Sequence, residues 1–201
     1  MKGFDCFASA APYATQLSIL GYEFFARYYR RTVVSKYAVS PEEAKALFSA
    51  GLWALAIYQN TSNVPSYFTK ENAVADAAAA IAKAAQMQQP KSSTIYFAVD
   101  CNPGEEQIPA VLDYFDRIMA GVVPEGYVVG VYGSGLVCRR VLAAGDAKCA
   151  WLSNAKGWNG SRDYHDWAVH QTTLPFTLPF GLEVDGDVAV SPEHAGLWRP
   201  L

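Results

Sequence analysis

Charge is scarce in this 201-residue sequence: only 17% of residues are Asp, Glu, Lys or Arg, and the formal balance is −3. Without a basic excess the chain lacks the electrostatic footprint of a nucleic-acid binder, and no nucleic-acid partner is expected. No apolar run approaches the ~20 residues of a membrane span. Cysteine is sparse, and Cys6, Cys101, Cys138 and Cys149 show neither CxxC nor Cys/His zinc spacing. Cys6 and Cys101 each follow an Asp at a strand end, which leaves a bond between them open. A signal-peptide pattern is also missing, because Asp5 interrupts the apolar stretch after Lys2. Localisation therefore stays open. Action at the cell envelope or outside would need a removed leader, another export route or lysis.

Several reaction classes lack their signatures. Gly133-Ser134-Gly135 is not a GxSxG elbow and has no Ser-His-Asp set beside it. Gly130 and Gly133 form neither a Walker loop nor a dinucleotide fingerprint. His165 and His170 lack a close ligand pair, and Asp185-Gly186-Asp187 is too short for a calcium loop. No cofactor or metal is expected.

What the sequence has is apolar periodicity. Hydrophobic residues make up 51% of the chain, enough for one domain over 1–201 with a sizeable core. Strand patterns cover 3–8, 23–29, 53–58, 94–100, 127–132, 149–153, 167–171 and 183–190. Helical patterns fall between most of the early ones. Ser40, Pro41 and Glu43 mark one helix start, Thr69 opens an Ala-rich helix through Met87, and Leu136 to Ala144 forms another. The stretches 154–166 and 174–181 read as loops. Alternation of this kind implies a parallel sheet, and eight units favour a compact (β/α)8 TIM-like barrel with degraded late helices. A doubly wound open sheet is the alternative.

The chemistry collects at strand ends. Asp5, Asp100 and Asp185 close, or nearly close, strands one, four and eight, where a barrel places its active site. Period two puts Glu183, Asp185 and Asp187 on one face of strand eight. Carboxylates opposed across a mouth suit glycosidic bond cleavage, in which one protonates the leaving oxygen and another supports the cationic centre or activates water. Arg27, Tyr28, Tyr58, Gln59, Tyr132, Trp151, His170 and Gln171 lie at other strand ends. Aromatic faces and amides of this kind suit sugar rings and their hydroxyls.

GFD on strand one, ARYY on strand two, YFAVD on strand four, VGVYGSG, and the closing WAVHQ…EVDGDVAV together resemble the glycoside-hydrolase-like barrel domain related to the family 25 lysozymes. The resemblance spans nearly the whole chain. It implies that Asp5 and Asp185 match acids on strands one and eight, and that Asp100 stands where the general-acid Glu falls. His170-Gln171, with Trp167 nearby, echoes a Trp-Gln pair before strand eight. The chain departs at Ala98, where the lysozymes have the first Asp of Asp-x-Glu, and Asp100 is one methylene shorter than Glu.

These residues lead to an expected monomeric glycosidase on peptidoglycan or a related amino-sugar polymer, with Asp5, Asp100, Asp185 and Asp187 as the acid/base set. Arg27, Tyr28, Tyr58, Gln59, Tyr132, Trp151 and Gln171 are expected to hold the polysaccharide. A non-catalytic glycan-binding module on the same barrel is the competing reading, with Ala98 in its favour. A metal-assisted phosphodiesterase is a weaker third.

Overall fold

Aromatic and β-branched runs build the sheet, as their packing on a pleated surface favours. The computed structural model describes residues 1–31 and 37–200. Strands β1 (Lys2–Asp5), β2 (Phe24–Tyr29), β3 (Trp53–Tyr58), β4 (Thr94–Ala98), β5 (Val128–Gly133), β6 (Cys149–Leu152) and β7 (Val169–Gln171) pair in order, all parallel. A two-residue strand β8 (Phe176–Thr177) forms a hairpin with β9 (Glu183–Ala189), and β9 closes the barrel between β7 and β1. The result is the expected eight-strand barrel, with β8 as an appendage.

The closing strand corrects the parallel expectation, because β9 runs antiparallel to both β7 and β1. A parallel return needs a crossover of a dozen or more residues, and the segment 172–182 has no helix to make one. Reversal puts the beginning of β9 at the mouth, with Asp5 opposite Asp185 and Lys2 opposite Val188. Asp185 thus reaches the mouth from the start of its strand. Strand one is also shorter than expected and stops at Asp5.

Helices α1 (Ala14–Ile19), α2 (Pro41–Ser49), α3 (Lys70–Gln86), α4 (Ile108–Val122) and α5 (Gly135–Ala144) cover the first five units. Ser40, Thr69 and Ser134 side chains accept from backbone N–H groups three residues on, at 3.1, 3.2 and 3.2 Å. Glu43 does not complete a box with Ser40. Its carboxylate instead accepts from Arg27 and from the Ala10 N–H.

Two apolar layers follow from strand alternation. Ala26, Tyr28, Leu55, Ile57, Tyr96, Ala98, Trp151 and Val169 fill the barrel interior. Phe25, Tyr29, Ala56, Tyr58, Phe97, Val131 and Leu152 face the helices. A short helix α6 (Pro192–Ala195) and the segment after it seal the floor. There Tyr96 donates to the Ala195 carbonyl at 2.9 Å, and Trp198 bridges Ala54. Gly196 sits at φ +62, with Thr94 so near that a methyl group would lie 1.9 Å from its hydroxyl. All four cysteines are free thiols.

Candidate active site

Asp5 is the hub of the mouth. Ending β1, it is buried, and it accepts from Tyr28 Oη at 3.1 Å and from Gln171 Nε2 at 2.8 Å. The Gln171 carbonyl in turn accepts from Tyr132 Oη (3.1 Å) and the Asn154 N–H (3.4 Å), which fixes the amide's orientation. Burial holds both phenols well above the usual range, so they remain donors. Burial, with the Asp185 charge beside it, pushes the Asp5 carboxyl up to about 7.

Asp187 lies behind Asp5. Its Oδ1 accepts from Trp151 Nε1 at 3.2 Å, while its buried Oδ2 meets no donor. The two carboxyls are electrostatically linked, and neither can ionise without regard to the other. Burial and the Asp5 charge raise Asp187 well above its ordinary value, which makes it the more readily protonated of the two. Asp185 is half-buried, and burial with the Glu183 charge pushes it up to about 6. Asp100 follows β4; burial raises it, while the hydrogen bond that Gln59 Nε2 donates to its Oδ2 at 2.9 Å partly offsets the rise.

A cavity of about 240 Å3 opens over these groups. Asp5, Asp100 and Asp185 line it together with Tyr28, Gln59, Tyr132, Trp151 and Gln171. Nine of the expected residues thus converge on the mouth: these eight, with Asp187 one layer beneath. Ala98 faces the interior opposite Tyr132.

Arg27 and Tyr58 do not reach the mouth. Each neighbours a residue that points inward, and in a strand adjacent side chains take opposite faces. Arg27 is buried outside the barrel, where Nε and Nη2 donate to Glu43 at 2.8 and 3.2 Å. Its Nη1 donates to the carbonyls of Cys6, Phe7 and Tyr37 at 2.6, 3.0 and 3.2 Å. Tyr58 donates to buried Asp76 at 2.6 Å, a carboxylate also reached by Tyr67, Tyr114 and Arg31. Both therefore serve packing between barrel and helices.

Loop residues without a sequence signal complete the mouth. Phe7 is 51% exposed and stacks on Tyr28, with ring centroids 5.2 Å apart and planes 5° from parallel. Trp158, Leu174 and Pro175 also line the cavity, drawn from the two segments read as loops. The 154–166 loop is tied down, because the Asn159 N–H donates to Asn102 Oδ1 at 2.8 Å and its carbonyl accepts from the Leu136 N–H at 2.8 Å. Among the described residues no group of three or more His, Cys, Asp or Glu is arranged to hold a metal ion, and no helix is long and apolar enough to cross a membrane.

The barrel with this carboxylate-lined mouth is a glycoside-hydrolase-like fold. Residues 15–187 match the model of the Rv2525c-like, glycoside hydrolase-like domain, and the chain belongs to that family. It is 29% identical over 188 residues to the uncharacterized protein FadG of Bacillus subtilis, covering 87% of this chain and 32% of FadG. The match to YbfG of the same organism is 31% over 142 residues, 64% of this chain and 19% of YbfG. The matched region thus spans about a third or less of those relatives. Among solved structures, the Tat-secreted Rv2525c of Mycobacterium tuberculosis in complex with L-tartrate superimposes with a TM-score of 0.83 at 22% identity, covering 98% of both chains. A family 25 glycosyl hydrolase of Bacillus anthracis gives 0.59 at 16% identity, over 95% of this chain and 89% of that one. The autolysin LytC of Streptococcus pneumoniae, with a synthetic peptidoglycan ligand, gives 0.62 at 14% identity, over 92% of this chain and 46% of LytC. At these identities the likeness is one of fold.

Proposed function

We propose that the chain is a glycoside hydrolase acting on peptidoglycan or a related amino-sugar polymer. One observation carries the reading: three carboxyls raised by burial, Asp5, Asp100 and Asp185, line one cavity walled by aromatic rings. A raised pKa keeps a carboxyl protonated closer to neutral pH, as a general acid requires. Asp100 is the acid and donates its proton to the leaving glycosidic oxygen. Its Oδ2 is engaged by Gln59, which orients the group. Asp185 takes a proton from the attacking water, whose oxygen bonds to the anomeric carbon as the glycosidic bond breaks. Asp5, held by Tyr28 and Gln171, sets the charge beside that centre. Asp187 does not line the cavity, and its part is to hold Asp5 in place and tune its charge.

The peptidoglycan-like substrate is supported by the fold shared with LytC, which was crystallised with such a ligand. Ring platforms at Phe7, Tyr28 and Trp158 suit the flat faces of sugars. The polymer enters as a single chain's ligand, with no cofactor in the scheme.

Ala98 favours a second reading, a barrel that binds glycan without cleaving it. The carboxylate that would orient an N-acetyl group from that position is absent, and Asp187 is too deeply locked to replace it. One experiment separates the two. Purified peptidoglycan and chitin oligomers are incubated with wild type and Asp100→Asn, and released reducing ends are counted. Reducing ends from wild type alone support the hydrolase; binding by both proteins without release supports the binding module.

A further inference from the structure

The 154–166 loop stands where a helix would cover the outer side of β6 and β7, and a hollow of about 330 Å3 remains there. Lys156, Arg162, His165 and His170 line it, together with Trp167 and Ser153. No carboxylate lines it; Asp163 and Asp166 border a neighbouring hollow with Arg139. Among the described residues neither Lys156 nor Arg162 forms an ion pair. Arg162 spends only its Nε, on the Lys156 carbonyl at 3.3 Å.

Two further observations point to a ligand. Ser153 is buried, yet its Oγ has no hydrogen-bond partner, a costly state for a hydroxyl. The hollow is also prebuilt. Asn159 Nδ2 donates to the Pro103 carbonyl at 3.1 Å, and Gly135 packs so tightly that a Cβ there would lie 2.1 Å from the Gly160 carbonyl oxygen. The hollow adjoins the mouth, because Ser153 lines both cavities and His170 precedes Gln171 on the same strand.

We propose that this hollow binds an oxyanion, carboxylate or phosphate, borne by the glycan strand whose neighbouring sugars occupy the mouth. The proposal rests on the glycan reading of the mouth and adds the substrate's charge. A mouth lined by Asp5, Asp100 and Asp185 repels an anionic polymer, and unpaired cations next to it offset that repulsion. Lys156 and Arg162 supply charge-assisted hydrogen bonds to the anion, and Trp167 offers a ring face to the attached sugar.

The test is calorimetric titration of the full chain with uncharged chitotetraose, a muramic-acid-containing fragment of equal length, and a phosphodiester-linked glycan of the teichoic type. The same titrations are run on Lys156→Ala/Arg162→Ala, and on Lys156→Gln/Arg162→Gln should the alanine pair fail to fold. Wild type should bind an anionic ligand about tenfold more tightly than chitotetraose. The double variant should lose that preference and keep its chitotetraose affinity. Whether the carboxylate or the phosphate ligand binds more tightly identifies the source of the anion. Equal affinities in wild type, or a preference that survives in the variant, overturn the proposal. If no saccharide binds, the glycan reading fails separately, and inorganic phosphate becomes the probe. A saturable shift of the His165 and His170 ring resonances, lost in the double variant, then upholds the anion site, and no saturable shift overturns it.

Discussion

Asp187 is buried beneath Asp5, which lines the mouth, and burial together with the Asp5 charge makes Asp187 the more readily protonated member of the pair. Asp187 is anchored by Trp151, and Asp5 by Tyr28 and Gln171. The pair can therefore present one negative charge where two would repel.

Stability should respond to this arrangement with a definite sign. Asp5 and Asp185 have folded-state values of about 7 and about 6, above the ordinary 3.8. The folded state then binds more protons than the unfolded one between about pH 4 and pH 7, so stability is full below that window and falls as pH rises through it. Thermal unfolding followed by circular dichroism should give a Tm several degrees lower at pH 8 than at pH 5. Asp187→Asn should flatten the slope; a slope of the opposite sign would contradict the buried acid pair.

Gln59→Leu removes the donor that favours ionised Asp100. The Asp100 pKa should rise further. Carboxyl-carbon NMR titration reads the shift directly. In the hydrolase reading the alkaline limb of the rate profile moves up with it.

Phe7→Ala deletes an exposed ring that touches Tyr28 and leaves the barrel core intact. Glycan affinity should fall about five- to tenfold, in line with ~1 kcal/mol for a stacked aromatic contact. The unfolding midpoint should barely move. Unchanged affinity by titration would remove Phe7 from the binding surface.

Arg27→Met leaves the Glu43 carboxylate buried without its cation and takes a donor from three loop carbonyls. Urea unfolding should show a loss of about 3–5 kcal/mol. Adding Glu43→Leu should recover part of it. If Arg27 were a ligand-binding residue, the double variant would recover stability and still fail to bind, whereas a structural role predicts that binding returns.

The barrel and its acids were legible because strand period and strand-end position are written in the sequence. Asp5 and Asp100 follow apolar runs that alternate with helical ones, and that pattern places them at the mouth, whereas Asp185, near the start of its strand, reaches the mouth because β9 is reversed. Direction was not legible in the same way. Strand β9 has the composition of any barrel strand, and its reversal follows from the connection before it, where two prolines and a short span leave no room for a crossover. Arg27 and Tyr58 were misplaced although alternation could have excluded them, since Tyr28 and Ile57 beside them point inward. Phe7, Trp158, Leu174 and Pro175 carried no such signal, because a loop residue's position depends on tertiary contacts such as those of Asn159.

The antiparallel seam between β1 and β9 also sets when the mouth can exist. Asp5 and Gln171 are 166 residues apart in the chain, and their hydrogen bond spans the joint at which the barrel shuts. Contacts of such long sequence separation form late, after the loop entropy between them has been spent. During refolding, the indole of Trp151 beneath the mouth should reach its native fluorescence only in the slowest phase, together with the Asp187 hydrogen bond. The constellation that defines the site should therefore be assembled by the chain's last act of closure.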